Sequence, residues 1–300
     1  MLNSDLIKSF AFDLGFDDCG ITNCCVSEKY FNFFNDWLDK NYHADMNYLK
    51  KNLEIRKNLN LLVENAKSVI VVLMNYNNID FFKDKNISIA KYAYGTDYHI
   101  VIKNKLYDFI HKIKEIYPNV NCRCFVDSAP ILERYFAKKA GLGFIGKNNC
   151  LITKKFGSFV FIGEIILDLE FINYDKENIE ECEKCNKCIE FCPTGALTEF
   201  CLNSNKCISY QTIENKNKIP KELSNKIKKQ IFGCDICQNV CPHNQNLEIN
   251  NHAEFQILPK ILNFDKSELN NLTDKKFEEK FSETALSRIN REKMVGNCGN

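Results

Sequence analysis

Cys182-Glu183-Lys184-Cys185-Asn186-Lys187-Cys188-Ile189-Glu190-Phe191-Cys192-Pro193 is the stretch on which the reading of this chain turns. Its spacing, C-x2-C-x2-C-x3-C-P, is the bacterial ferredoxin run that ligates [4Fe–4S] clusters. Three thiolates on a tight loop meet three corners of one cubane. The fourth, just before proline, turns away to the other cluster. A second group, Cys234-x2-Cys237-x3-Cys241-Pro242, is one cysteine short of the full run. Crossed ligation gives one cluster to Cys182, Cys185, Cys188 and Cys241. The other then has Cys192, Cys234 and Cys237 and needs one more ligand. Cys201 and Cys207 are the candidates. Spacing does not decide between them, although Cys207 allows the longer reach and is taken as the eighth ligand. A pair of structural zinc sites is the alternative, since CxxC pairs also bind zinc. Zinc does not explain a Cys-Pro closing both groups. Two clusters with crossed ligands suit one-electron transfer. An electron carrier alone would not need the long segment before them, so they are expected to feed a second redox centre.

Outside these groups the chain is ordinary. It has 300 residues, enough for two or three domains at roughly 100–200 residues each, and 45% of them are hydrophobic. That composition excludes wholesale disorder. Lys and Arg number 40 against 39 Asp and Glu, a net charge of +1, so any nucleic-acid contact must use a local patch. The start, Met1-Leu2-Asn3-Ser4-Asp5-Leu6, lacks the basic and apolar regions of a signal peptide. Runs such as Val69 to Met74 fall far short of the roughly 18 apolar residues a spanning helix needs. A cytoplasmic protein with no membrane contact is expected. Its thiols would stay reduced there, and the 16 cysteines read as metal ligands before disulfides. The other cysteines, Cys19, Cys24, Cys25, Cys122, Cys124 and Cys150 among them, read as small buried hydrophobes.

The organisation read from the pattern is α+β. Leu6, Ile7, Phe10 and Leu14 predict a helix over residues 3–15, and Ile102, Leu106, Phe109, Ile110 and Ile113 a second over 98–116. Lys67 to Tyr76 is a β-branched run that reads as a buried strand, and Asn121 to Asp127 is a shorter one. Leu151–Lys155 and Ser158–Leu167 flank Phe156-Gly157 and predict a hairpin. No regular βαβ repeat is present, which disfavours a doubly wound fold. A charged loop, Asp175 to Glu183, leads into the cysteines. The part after Asn250 is polar, with a helix near Asp274–Phe281, and runs to Gly296-Asn297-Cys298-Gly299-Asn300 without a clear cap.

Four more stretches carry a family resemblance: Cys124-Phe125-Val126-Asp127-Ser128-Ala129-Pro130-Ile131-Leu132-Glu133-Arg134, Gly141-Leu142-Gly143-Phe144-Ile145-Gly146-Lys147-Asn148, Tyr92-Ala93-Tyr94-Gly95-Thr96-Asp97-Tyr98-His99 and Cys207-Ile208-Ser209-Tyr210-Gln211-Thr212-Ile213-Glu214. With both cysteine groups they resemble the epoxyqueuosine reductases, and the likeness spans nearly the whole chain. The resemblance implies a reductive-dehalogenase-like, cobalamin-binding catalytic domain over 1–171. It also implies a bacterial-ferredoxin-like domain with two [4Fe–4S] clusters over 172–250 and a helical tail over 251–300. The implied activity is reduction of the epoxide of epoxyqueuosine to queuosine at the tRNA wobble position. The implied partners are the tRNA anticodon stem-loop and an external electron donor, with the protein a monomer. Many members continue into a helical-repeat region that contacts tRNA. Glu283 to Asn300 looks like its start, so the chain resembles a short form.

Opening an epoxide and expelling its oxygen as water takes two electrons and two protons. Asp127 matches the family's proton donor. A free aspartate titrates near 3.9, so acid work near neutrality needs burial or a reduced cofactor to raise it. The competing reading is that Asp127 caps a helix starting near Pro130. Gly141, Gly143 and Gly146 follow a predicted helix, not a strand, so they are no dinucleotide fingerprint. On their own they read as a tight turn, and the resemblance implies close backbone approach to the corrinoid. Arg56 and Tyr98 are further corrinoid candidates. His99 could ligate cobalt, but the resemblance implies no protein histidine below the metal, so it is left out of the metal set. Lys216, Lys218, Lys221, Lys226, Lys228 and Lys229, opposed by Glu214 and Glu222, form a basic stretch suited to a tRNA backbone or to a solvated face. Two rival functions stand beside the main one: a corrinoid reductase of a small molecule, such as a dehalogenase, and a non-catalytic electron or cobalamin carrier.

Overall fold

The computed structural model describes residues 2–299; Met1 and Asn300, the ends of the terminal readings above, lie outside the described residues. The first part of the chain runs α1 (Ser4–Asp13), β1 (Asp18–Asn23), α2 (Glu28–Asp39), α3 (Leu53–Lys57), β2 (Ser68–Asn75), β3 (Ser88–Ile89), α4 (Tyr98–Ile116), β4 (Cys122–Phe125), α5 (Glu133–Lys139), β5 (Phe144–Ile145), β6 (Leu151–Ile152) and β7 (Val160–Leu167). Four of these strands form an antiparallel sheet in the order β1-β2-β7-β4. Every residue of β2 is buried. The reason is that both faces are covered: Ile70 and Val72 pack with Leu106 and Phe109 of α4, and Val69, Val71 and Leu73 with Tyr135 and Phe136 of α5. A strand buried on both faces has no solvent side to alternate with, hence its unbroken apolar run.

The hairpin expected around Phe156-Gly157 is corrected. β6 turns back to pair with β5, and a single bridge, Thr153 to Gly157, is what remains of the turn. β7 instead lies between β2 and β4, pairing along its whole length with β2. Burial of Ile165, Ile166 and Leu167 between the two core layers outweighs a local pairing. The helix expected from Pro130 begins three residues later, at Glu133.

The cysteine region contributes α6 (Lys187–Glu190), β8 (Leu197–Thr198), β9 (Cys201–Leu202), α7 (Ile208–Ile213), α8 (Lys221–Ile227), β10 (Gln230–Phe232) and α9 (Ile236–Asn239). α6 and α9 are single turns that close just before Cys192-Pro193 and Cys241-Pro242. The last part holds α10 (Pro259–Leu262), α11 (Lys266–Asn271), α12 (Asp274–Phe281) and α13 (Arg291–Cys298). It does not trail away. Phe264, Phe277, Phe281, Leu286 and Met294 share one core with Phe82, Ile89 and Tyr94 of the first part and Phe232 of the second. β3 and β10 pair in parallel beneath that core. Among the described residues no helix is long and apolar enough to cross a membrane.

Candidate cluster and acid site

The two cysteine groups fold toward each other, and their thiols sort into two sets. Cys182, Cys185, Cys188 and Cys241 are mutual neighbours around a cavity of about 850 Å³. Cys192, Cys207, Cys234 and Cys237 are neighbours in the other set. Cys207 comes in as the cap of α7, whereas Cys201 sits in the β8–β9 hairpin opposite Thr198. Peptide N–H groups point at the sulfurs. Lys147 N–H donates to Cys182 Sγ and Ala196 N–H to Cys192 Sγ, both at 3.4 Å. The amides of Ser209 and Tyr210 serve Cys207, that of Ile236 serves Cys234, and those of His243 and Asn244 serve Cys241. Such donors stabilise thiolates and tune the potential of iron–sulfur clusters, so the donor set fits the group. Among the described residues no three His, Cys, Asp or Glu side chains close on a single metal ion. Cys150, read as an ordinary buried thiol, lies between the sets near Cys207, Cys237 and Cys241.

The acid site gathers residues from distant parts of the chain. Asp127 follows β4 in a left-handed conformation, φ +46°, and its side chain is 57% exposed. Tyr98 Oη donates to Asp127 Oδ2 at 2.8 Å. Tyr98 itself is fixed by stacking on Phe161, with centroids 4.4 Å apart and planes 6° from parallel. His99 Nδ1 is 2.7 Å from Asp97 Oδ1, which orients the ring and leaves Nε2 3.9 Å from Asp127. Arg288, from the turn after α12, stands 4.0 Å from Asp127 Oδ2 and 3.0 Å from Glu214. Asp127 caps no helix: α5 is preceded by Leu132, and no side chain caps it. Beneath Asp127 lie two more carboxyls. Its N–H donates to Glu133 Oε1 at 2.6 Å, and Glu164 is fully buried on β7. Burial first, then the neighbouring negative charges, pushes both Glu133 and Glu164 above the usual carboxylate range.

The other expected residues stand further back. Arg56, near Glu133, is 6% exposed, bonds the Ile131 carbonyl at 3.3 Å and lies over the Phe34 ring. The three glycines have reasons inside the protein. A Cβ at Gly141 would stand 2.7 Å from the Lys176 carbonyl, at Gly143 2.3 Å from that of Ile152, and at Gly146 2.5 Å from the Ile152 side chain. Their loop docks on the first cysteine set through Lys147, whose Nζ bonds Glu183 O, Asn186 and Glu199. Of the basic stretch, Lys216, Lys218, Lys221, Lys226 and Lys228 are exposed. Lys229 is spent on the carbonyls of Phe82, Lys83 and Lys85. Arg288, Glu133 and Glu164 were not found from the sequence. Glu133 and Arg288 lie in quoted or noted stretches, but only the fold shows what they face. Glu164 carries the stronger signal, a carboxylate in the middle of an apolar strand.

Two family models match the chain: "4Fe-4S double cluster binding domain" over residues 181–244 and "Epoxyqueuosine reductase QueG, DUF1730" over residues 56–128. An epoxyqueuosine reductase of Cyclobacterium marinum is 42% identical over 290 residues, covering 95% of this chain and 92% of that one. Among solved structures, an epoxyqueuosine reductase with an epoxyqueuosine-modified tRNA-Tyr stem loop superposes with a TM-score of 0.88 at 27% identity, covering 98% of this chain and 79% of that one. The Bacillus subtilis enzyme, with its catalytic aspartate loop swung out of the active site, gives 0.87 at 26% identity over 98% and 79% of the two chains. A catabolic reductive dehalogenase shares the fold alone, at a TM-score of 0.50 and 14% identity over 80% of this chain and 32% of that one. The identity along nearly the full length of both chains, the two matching models and the sorted thiols carry one conclusion: this chain belongs to the epoxyqueuosine reductase family.

Proposed function

We propose that the chain reduces the epoxide of epoxyqueuosine to queuosine at the wobble position of tRNA, with Asp127 as the proton donor. The observation that carries this reading is Asp127 itself. It is an exposed carboxyl in left-handed backbone, bonded by Tyr98 and flanked by His99 and Arg288, in a chain of this family. The reaction balances as an epoxide plus two electrons and two protons giving an alkene and water. Two [4Fe–4S] clusters, on Cys182, Cys185, Cys188 and Cys241 and on Cys192, Cys207, Cys234 and Cys237, with cobalamin, supply the electrons one at a time. Tyr98, Asp127 and Arg288 are the residues that would face the corrinoid and substrate. Asp127 delivers a proton to the epoxide oxygen, and solvent, which reaches the exposed carboxyl, supplies the second. Tyr98 and His99 fix the carboxyl's direction, and Arg288 steadies the charge left on it.

The tRNA would be gripped by charge. Lys218 and Lys226 line a second cavity of about 560 Å³ with Lys206 and Tyr210, and Lys216, Lys221 and Lys228 are exposed nearby. Such a patch contacts phosphates, while specificity comes from an unstacked base entering the cleft. In this reading residues 1–171 carry the acid, 172–250 the clusters, and 251–300 close the site through Arg288. The protein would act in the cytoplasm as a monomer fed by an external electron donor. The test is anaerobic incubation of reconstituted protein with epoxyqueuosine-containing tRNA and a strong reductant, followed by nucleoside mass spectrometry. Queuosine should appear. Its absence with both clusters and cobalamin loaded would overturn the assignment.

A further inference from the structure

We propose that Glu164 is a positioning residue: it holds the Glu133 carboxyl where Oε1 accepts the Asp127 N–H, and so latches the Asp127 loop in its working position. The proposal rests on the reading of Asp127 as proton donor. Three observations carry it. First, a left-handed φ of +46° is unfavourable for a residue with a Cβ, so the Asp127 backbone needs something to hold it. The 2.6 Å bond from its N–H to Glu133 is the contact that does so. Second, Glu133 is the first residue of α5, whose preceding residue supplies no side-chain cap; its carboxyl bends back to the loop. Third, Glu164 is 0% exposed and neither carboxyl oxygen has a hydrogen-bond partner in ordinary geometry. It lies opposite Phe125 in the β4–β7 register, two residues before Asp127, and the side chain near enough to engage it is Glu133.

A carboxyl in the middle of an apolar strand is costly. Its neighbours on the same face of β7, Ile162 and Ile166, belong to the core layer against α5. An aliphatic side chain at position 164 would serve packing better. The charged groups near the pair are Asp127 from the loop, Arg134 on α5 and Arg56 on α3. No cation bonds Glu164, so the pair keeps a proton. With that proton on Glu164, its O–H is offered to Glu133. Glu133 stays anionic and accepts the Asp127 amide in a charge-assisted bond. Loss of the proton leaves two negative charges side by side, drives the carboxyls apart and frees the Asp127 peptide. Solved relatives include one in which the corresponding kind of loop is swung out.

The test compares Glu164→Leu with Glu164→Gln in the holoenzyme. Leucine fills the space without a donor, and glutamine restores a donor that cannot titrate. Glu164→Leu should lower kcat by roughly 10–100-fold, the scale of a misplaced catalytic group, with little change in KM for tRNA or in iron and cobalamin content. Glu164→Gln should recover most of that loss and also remove the alkaline fall in kcat that the pair imposes. Two readouts are independent of the reaction. The infrared band of a buried protonated carboxyl at neutral pH should vanish in both variants, and the Asp127 amide should exchange faster with deuterium in Glu164→Leu. These would hold even if the epoxide assignment failed. An unchanged amide exchange rate in Glu164→Leu, or wild-type kcat across the pH range, would overturn the latch. If the leucine variant does not fold, Glu133→Ala reads the same latch from its other end, with the same two outcomes.

Discussion

The eight thiols of the cluster region and the three carboxyls of Asp127, Glu133 and Glu164 are both gatherings of acids, and they are compensated in opposite ways. Around the thiols, peptide N–H groups converge on Cys182, Cys192, Cys207, Cys234 and Cys241. That arrangement suits thiolates whose charge is met by iron. Around the carboxyls, Glu164 has no donor at all, and the pair it makes with Glu133 must keep a proton. The first arrangement suits anions fixed around a metal. The second leaves the buried Glu133–Glu164 pair without a bonded cation. In the proposed reaction the first supplies electrons, and the second holds the loop from which Asp127 supplies a proton.

The largest effect should come from breaking the thiol side. Cys207→Ala should lose one cluster, leaving about four of eight irons, and abolish turnover; Cys201→Ala should keep both. Iron analysis and EPR after anaerobic purification check this, and swapped results would move the eighth ligand to Cys201. Next comes Asp127→Asn, which keeps shape and polarity but removes the transferable proton. Turnover should fall about 10²–10⁴-fold, with clusters, cobalamin and tRNA binding near wild type. A fully active Asp127→Asn enzyme would take Asp127 out of the mechanism. Arg288→Ala should cost less, roughly tenfold in kcat, because it touches the site through a 4.0 Å contact and an ion pair to Glu214.

The smallest effect sharpens the proton side and is one of stability. Burial lifts the Glu133–Glu164 pair, Glu133 to about 8 from an ordinary 4.5, so the folded pair shares a proton that the unfolded chain has released. The sign follows: this contribution is complete below about pH 4.5 and is lost as pH rises through 8. Denaturant midpoints should therefore decline over that window in the wild type and flatten in Glu164→Leu. The leucine variant should be no less stable at pH 8, since it removes an unpartnered buried carboxyl, a cost of roughly 1–3 kcal/mol. A marked loss of stability at pH 8 would mean that the Glu164 carboxyl has a stabilising partner besides Glu133.

How much of this was legible in the sequence depended on distance along the chain. α4 spans 98–116, as its apolar spacing required, and β2 lies within the β-branched run. Both are local patterns set by periodicity. The Phe156-Gly157 hairpin failed because turn chemistry says where a chain can reverse but not which strand it then joins. The glycine spacing showed a tight turn, and only the fold shows that each missing Cβ makes room for protein atoms and that Lys147 docks the loop on the cysteines. Charge alone marked Arg56, and only the fold shows that it is buried, bonds the Ile131 carbonyl and lies over the Phe34 ring.

The sequence by itself determined the cluster region. Ligand spacing on a tight loop is a covalent constraint, and a C-x2-C-x2-C-x3-C-P run leaves few ways for its thiolates to be arranged. It also determined the apolar strands and helices, because burial must follow the 2- and 3.6-residue periods of the backbone. Only the tertiary structure set Cys207 beside Cys192, brought Arg288 to Asp127 across more than half the chain, and set Glu164 behind Glu133. Those meetings join residues with no periodicity between them. They depend on how the packed layers register against one another, which only the folded core fixes.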